Sequence, residues 1–122
     1  MSGDAIELSL PADPRYLAFL RVAVRGAAAA AGLGVDRVDD AAQAMDEAAA
    51  GILEGVGPGR SLEVLLTVGS GSLRAVGEIV GDGLPPAPVH DLALAVLGVV
   101  ADRHEVVTGA DRRGFDFTIG DG

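Results

Sequence analysis

Hydrophobic and polar residues alternate at the start of the chain and then recur at helical spacing. Residues 5–10 alternate strictly, which predicts a strand with one buried face. The side chains expected on that face are Ile6, Leu8 and Leu10. Pro11 ends the strand, and Asp13 followed by Pro14 supplies a helix N-cap with a proline at the first helical position. The first helix is expected to end near Gly32.

A second helix is predicted from Val35, directly after Gly32 and Gly34. Apolar residues recur there at alternating steps of three and four, which is the spacing of one helix face. That face comprises Val38, Ala41, Met45, Ala48 and Ile52. The acidic residues that lie off this face are Asp36, Asp39, Asp40, Asp46 and Glu47.

The middle of the chain predicts a β-hairpin between two loops. Glycine and proline mark the loops at residues 55–60 and 81–88. Residues 61–68 and 72–80 have strand patterns and are separated by the glycine-rich turn at 69–71, which predicts antiparallel pairing. The loop at 81–88 is the longest of the chain, and long loops often border functional sites.

The remaining sequence predicts one more helix and a closing hairpin. The helix is expected over residues 89–103, and the strands of the hairpin over 105–108 and 115–119. The apolar residues expected to carry the packing of this helix are Leu92, Val96, Val99 and Val100. The predicted order is β-α-α-β-β-α-β-β. It is typical of an α+β fold in which helices pack on one face of a mixed, mainly antiparallel sheet.

Composition limits the classes of function. The 122 residues fit one domain, 1–122. Eighteen acidic residues against nine basic ones give a formal charge of −9, which disfavours binding to nucleic acid and to acidic membrane surfaces. Every basic residue is Arg, so a P-loop lysine and a Schiff-base lysine are excluded. Cysteine is absent, and no leader or membrane-spanning pattern occurs, so a cytoplasmic location is expected.

Common catalytic motifs are missing from the sequence. His90 and His104 stand apart with no cysteine, so a zinc site is not expected, and no serine lies in a Gly-x-Ser-x-Gly elbow. The pair Asp46 and Glu47 is typical of a solvated helix face. Gly51 lies one turn beyond Glu47, where a glycine costs a helix about 1 kcal/mol relative to Ala. Either another group approaches closely there or the helix is ending.

Three stretches, in unbroken order, resemble the anti-sigma-factor serine kinase branch of the histidine-kinase-like (GHKL) ATPases. They are residues 6–25, IELSLPADPRYLAFLRVAVR, residues 38–52, VDDAAQAMDEAAAGI, and residues 73–86, LRAVGEIVGDGLPP. The first is similar to the family's first strand and helix, the second to its Glu-x-x-x-Asn helix, and the third to its Asp-x-Gly-x-Gly box. The resemblance extends through the last helix and hairpin, and it implies the histidine-kinase-like ATPase fold over nearly the whole chain.

The resemblance places two family functions on the second helix. Glu47 falls on the glutamate that serves the family as general base, and Gly51 falls on the asparagine that coordinates magnesium. A glycine has no side-chain oxygen for that role. The resemblance therefore implies that the magnesium ligand is missing, and no metal ligand is assigned.

The remaining nucleotide-site positions are also altered. The family's glycines fall on Gly81, Gly83 and Gly114. Ile79 stands where the family has the aspartate that recognises the adenine amino group, and Phe115 replaces the threonine of a Gly-Thr pair. A second register would place Asp82 on the aspartate but would lose both box glycines. The glycine-rich lid is replaced by residues 86–98, PAPVHDLALAVLG.

These substitutions predict a regulator with a degenerate ATP site. Loss of the adenine acceptor, the magnesium ligand and the lid removes directional contacts that an apolar pocket does not replace. No cofactor is expected, and ATP with magnesium would bind only if the site still functions. The resemblance implies a sigma factor or its antagonist as the protein partner. It also implies homodimers, since relatives commonly act as homodimers.

Two other functions stay open at this stage. One is an active ATP-dependent serine/threonine kinase of an anti-sigma antagonist, with Glu47 as base and Asp46 or Asp82 as a substitute magnesium ligand. The other is a small-ligand binding α+β domain, in which the loop at 81–88 rims an apolar pocket. Saturable, magnesium-dependent nucleotide binding would favour the first, and a copurifying apolar ligand the second.

Overall fold

The computed structural model describes residues 3–81, 83–85, 90–109 and 112–120. Its elements follow the predicted order. They are β1 (Asp4–Pro11), a short 3-10 helix (Pro14–Tyr16), α1 (Leu17–Ala30), α2 (Val35–Leu53), β2 (Ser61–Val68), β3 (Ser72–Val80), α3 (Asp91–Val100), β4 (Arg103–Val107) and β5 (Gly114–Gly120). The α+β class is therefore confirmed.

The five strands form one sheet in the order β1-β2-β3-β5-β4. All four pairings are antiparallel, so the expectation of a mixed sheet is wrong for the strands described. Helical connections usually join parallel neighbours. Here α3 does connect two strands that run in the same direction, β3 and β4, but β5 lies between them and pairs antiparallel with both.

The described helices cover one face of this sheet, as predicted. Alternate residues of the central strands point into the core between the two layers. The buried strand residues are Leu62, Val64, Leu66, Leu73, Ala75, Ile79, Phe115, Phe117 and Ile119. The facing side of α2 is built mostly from small residues, which lets this helix lie close to both α1 and the sheet: Ala41, Ala42, Ala44, Ala48 and Ala49 are buried.

The entry into α1 follows the predicted capping chemistry. The Asp13 carboxylate accepts a hydrogen bond from the backbone N–H of Arg15 at 2.9 Å, and Pro14 opens the 3-10 turn that leads into the helix. The helix ends at Ala30, and Gly32 follows with a φ of 80°, a conformation that favours glycine. The predicted boundary near Gly32 is confirmed.

The predicted packing face of α3 is wrong in two of its four residues. Leu92 and Val99 are 78% and 84% exposed, whereas Leu97 and Val100 are buried. Almost every residue of this helix is apolar, so its sequence allows more than one buried face. Contact with α2 selects the face that contains Leu97.

The bounds of α3 and β4 also differ from the prediction. The helix ends at Val100 because Arg103 already pairs with Thr118 of β5, so β4 begins two residues before the predicted Glu105. Val89, the predicted start of the helix, lies outside the described residues. Arg37 of α2 donates a hydrogen bond to the Val100 carbonyl at 3.3 Å, which fixes the end of α3 against α2.

The apolar face of β1 is only partly covered. Leu8 and Leu10 pack against the core, but Ile6 is 41% exposed. β1 is an edge strand, and the helical layer does not extend over its first residues. Across the described ranges, no helix combines the length and the apolar character needed to cross a membrane.

Candidate functional site

A cavity of about 50 Å³ lies between α2, α3 and β4. Its lining residues come from all three elements and their flanks: Glu47, Gly51, His90, Ala93, Leu94, Leu97, Val106 and Thr108. Apolar side chains of α3 and β4 form most of the wall, and Glu47 supplies the carboxylate. The cavity therefore joins two of the residues predicted from the sequence, Glu47 and Gly51.

The helix geometry of α2 explains why these two residues meet. Positions four apart lie one above the other on a helix face, and both Glu47 and Gly51 are half-buried. A Cβ atom added to Gly51 would meet no other atom within 4 Å. The chain itself therefore does not require glycine at this position, and the missing side chain leaves space in the cavity wall.

A contact between two polar side chains closes one side of the cavity mouth. The Nε2 atom of His90 and a carboxylate oxygen of Glu54 are 2.6 Å apart, and both side chains are about half exposed. The contact joins the end of α2 to the residue that precedes α3. Exposed pairs of this kind contribute at most about 1 kcal/mol, so it orients the two segments more than it stabilises them.

Ile79, which the resemblance predicted to replace the adenine acceptor, does not line the cavity. Its side chain is buried in the core and pairs across the sheet with Leu62. Its backbone N–H donates to the carbonyl of Arg113 at 2.9 Å. An apolar side chain in this place cannot accept a hydrogen bond from an adenine amino group.

Arg113 is a buried cation that the sequence analysis missed. It is 1% exposed, and its guanidinium donates to the carbonyl of Ile52 at 3.2 Å, to that of Glu54, and to that of Pro85 at 3.1 Å. The first two carbonyls belong to the end of α2, where helices leave carbonyls without partners and carry partial negative charge. The side chain thus ties the end of α2 to the segment that follows β3.

No motif singled out Arg113 over its neighbour Arg112, which is exposed. Both lie in the loop predicted before β5 and have the same side chain. The one weak signal was alternation, because Arg113 lies two residues before Phe115 and so has the inward-facing parity of β5. Burial of this arginine depends on carbonyls that are distant in the sequence, so only the fold identifies it.

The predicted glycines do not converge on the cavity. Gly81 and Gly83 follow β3 with φ values of 148° and 68°, which favour glycine, but neither lines the cavity. Asp82, between them, lies outside the described residues. Gly114 starts β5 and lines a separate depression on the outer face of the sheet. Of the described candidates, only Glu47 and Gly51 share one site.

Phe115 has a structural role at the position of the family's threonine. A Cβ atom on Gly77 would come within 2.3 Å of the Phe115 ring, so the two residues fit together only because one is glycine. The ring is buried and stacks near Phe117, with 5.8 Å between centroids. Phe115 and Phe117 are therefore part of the hydrophobic core.

The residues present do not fit ATP and magnesium. Ligand pockets for molecules of this size usually enclose about 300–1,000 Å³, several times the volume found here. Gly51 has no oxygen for a metal, and Ile79 has no acceptor for adenine. Among the residues that the structure describes, no group of three or more His, Cys, Asp or Glu side chains is placed to hold a metal ion.

A larger hollow of about 740 Å³ lies on the outer face of the sheet, and apart from two glycines its lining residues have polar or charged side chains. Within it, Arg74 of β3 binds Asp116 of β5 through two contacts, at 3.0 and 2.6 Å. The hydrogen bond to Asp116, and then its negative charge, raise the pKa of Arg74 above its ordinary value. The described part of the loop at 81–88 lines neither this hollow nor the cavity.

Comparisons with known proteins add no assignment. No protein-family model matches the sequence, and a search of curated proteins found no significant match.

Proposed function

We propose that the protein is a regulatory domain of the anti-sigma type, which binds a sigma factor or its antagonist in the cytoplasm and does not use nucleotide. The observation that carries this proposal is Arg113. Its backbone carbonyl accepts a hydrogen bond from the N–H of Ile79, which the resemblance aligns with the adenine acceptor, and its guanidinium joins the end of α2 to Pro85 after β3. This buried guanidinium already donates hydrogen bonds to three carbonyls, so it has little donor capacity left for a nucleotide.

The order of elements supports the same proposal. Two helices precede the β2–β3 hairpin, a third helix follows it, and an antiparallel hairpin ends the sheet. This is the order expected from the resemblance, while the ligand-binding positions within it are occupied by glycine and isoleucine. An element order that agrees with the resemblance, together with altered ligand positions, supports a protein that regulates through contact with a partner.

Two observations weigh against the alternative of an active kinase. The cavity beside Glu47 is too small for a nucleoside triphosphate. In addition, the Asp46 carboxylate already binds an arginine of α1. Both oxygens of Asp46 accept hydrogen bonds from Nε of Arg21 at 3.0 Å, which links α2 to α1. Asp46 is therefore not free to replace the missing magnesium ligand.

Two binding measurements test the proposal. Calorimetric titration with ATP and magnesium should give no saturable heat up to about 1 mM ligand, which corresponds to binding weaker than about 4 kcal/mol. Biolayer interferometry against each sigma factor and antagonist encoded in the same genome should identify one partner, with an affinity that ATP and magnesium leave unchanged. Saturable, magnesium-dependent nucleotide binding would overturn the proposal, as would the absence of any binding partner in the complete set.

A further inference from the structure

The cavity beside Gly51 combines apolar walls with an acidic mouth. Leu94, Leu97 and Val106 provide the apolar wall, and Glu47 lies at its edge. We propose that this cavity anchors an aliphatic side chain of a partner protein, and that a Lys or Arg next to it in the partner contacts Glu47. This inference rests on the proposed function, because it assumes that the protein acts by binding another protein.

The size of the cavity limits what it can hold. A single water molecule needs about 10–15 Å³ by the same measure, so about 50 Å³ accommodates roughly three to five atoms of that size. This corresponds to the end of a valine, leucine or isoleucine side chain. Aromatic rings and nucleobases are larger than this space.

The charge at the mouth of the cavity predicts the type of residue that lies next to the aliphatic anchor in the partner. Glu47 lines the cavity, and Glu54 contacts His90, which also lines it. No arginine is among the described residues that line it. A cationic side chain beside the aliphatic anchor would therefore meet the Glu47 carboxylate, and an acidic one would be repelled.

Gly51 is the residue that keeps the cavity open. It lies in the last turn of α2 with a negative φ, so the backbone would accept any L-residue. Its missing Cβ faces open space. Neither the backbone conformation nor the packing requires glycine at position 51. A partner side chain that occupies the open space would explain why glycine is there.

A displayed library of random dodecapeptides, panned on the full chain, tests the proposal. Enriched peptides should carry Leu, Ile or Val beside Lys or Arg, and synthetic copies should bind in a fluorescence polarisation assay. Gly51→Leu fills the cavity and should weaken binding about tenfold or more. Ala50→Leu is the matched control, since it introduces the same side chain at an exposed neighbouring position and should change binding less than about twofold.

Two further variants make the test independent of any single substitution. Glu47→Gln should weaken binding about threefold and reduce its dependence on salt, because it removes the charge that meets the basic residue. Ala93→Leu narrows the cavity from α3 and should repeat the effect of Gly51→Leu if that variant does not fold. Circular dichroism melting confirms that each variant is folded.

Different outcomes separate this inference from the proposed function. If a sigma factor or antagonist binds the protein but Gly51→Leu and Ala93→Leu leave that affinity unchanged, the anchoring cavity is wrong and the proposed function stands. If no such partner binds while the peptides still require an open cavity, the proposed function is wrong. Enriched peptides without the aliphatic-basic pair, or an absence of enrichment, would overturn the anchoring cavity directly.

Discussion

At the scale of single residues, Arg113 connects more of the structure than any predicted site residue. Its backbone carbonyl pairs with Ile79, and its side chain binds carbonyls at the end of α2 and after β3. The cation has no carboxylate among its described hydrogen-bond partners and is compensated by helix-end carbonyls. Sequence patterns describe spacing along one element, so a contact among three elements was not predictable from them.

Replacing Arg113 with methionine should lower the free energy of unfolding by about 2–4 kcal/mol. The change keeps much of the buried side chain but leaves the carbonyls of Ile52, Glu54 and Pro85 without their donor. Urea denaturation measures the effect. Arg112→Met, at the exposed neighbour, is the control and should change stability by less than about 0.5 kcal/mol. Equal losses in both variants would contradict the role assigned to Arg113.

At the scale of elements, the strands were more predictable than the last helix. The bounds of β2 and β3 match the prediction because their residues alternate between core and solvent and the turn between them contains glycine. α3 lacks such contrast, since nine of its ten residues are apolar or glycine. The buried face of α3 is determined by its packing against α2, and the local sequence of α3 does not specify that packing.

The observed face of α3 predicts different costs for two aliphatic truncations. Leu97→Ala should destabilise the protein by about 2–4 kcal/mol, because the side chain is 1% exposed and packs in the core. Val99→Ala should change stability by less than about 0.5 kcal/mol, because Val99 is 84% exposed. Thermal and urea melts of the two variants measure this difference. The reverse ranking would restore the face first predicted from the sequence.

The candidate site also contains predictable and unpredictable contacts. Glu47 and Gly51 were placed together by their spacing of four on one helix, and they do share the cavity. The glycines after β3 and at the start of β5 were assigned through the resemblance, and they lie elsewhere. Gly114 faces the outer side of the sheet because side chains alternate along β5 and Phe115 takes the inward position. Contacts within one element were predictable, and convergence between elements was not.

At the scale of the whole molecule, the excess of acids is visible on the outer face of the sheet. Glu63 and Glu78 are directly opposite each other on β2 and β3, and both are exposed. Like charges in this arrangement weaken a strand pair. With 18 acidic residues and nine arginines, carboxylates outnumber cations two to one, and the chain carries nine uncompensated negative charges.

Salt should therefore stabilise the protein. Raising NaCl from about 20 to 300 mM shortens the distance over which charges act from about 20 Å to about 6 Å, so the repulsion within a chain of charge −9 is screened. We expect the melting temperature to rise by a few degrees in differential scanning calorimetry.

The double variant Glu63→Lys/Glu78→Lys is the control for the salt prediction. Each substitution raises the net charge by two, so the pair takes the formal charge from −9 to −5. The two facing carboxylates become two facing ammonium groups, which also repel each other. The rise in melting temperature with salt should become smaller, since the total charge is lower while the local repulsion is retained. A melting temperature that falls as salt is added to the unmodified chain would contradict the electrostatic argument.

The position of β5 between β3 and β4 has a consequence for how the molecule folds during synthesis. β5 is the last strand in the described chain, yet it supplies hydrogen bonds to two neighbours and its side chains complete the centre of the core. Until it leaves the ribosome, β3 has an unpaired edge and β4 has no strand to pair with. Cooperative folding of this sheet therefore requires β5, and until β5 is synthesised the open edge of β3 can pair with another chain.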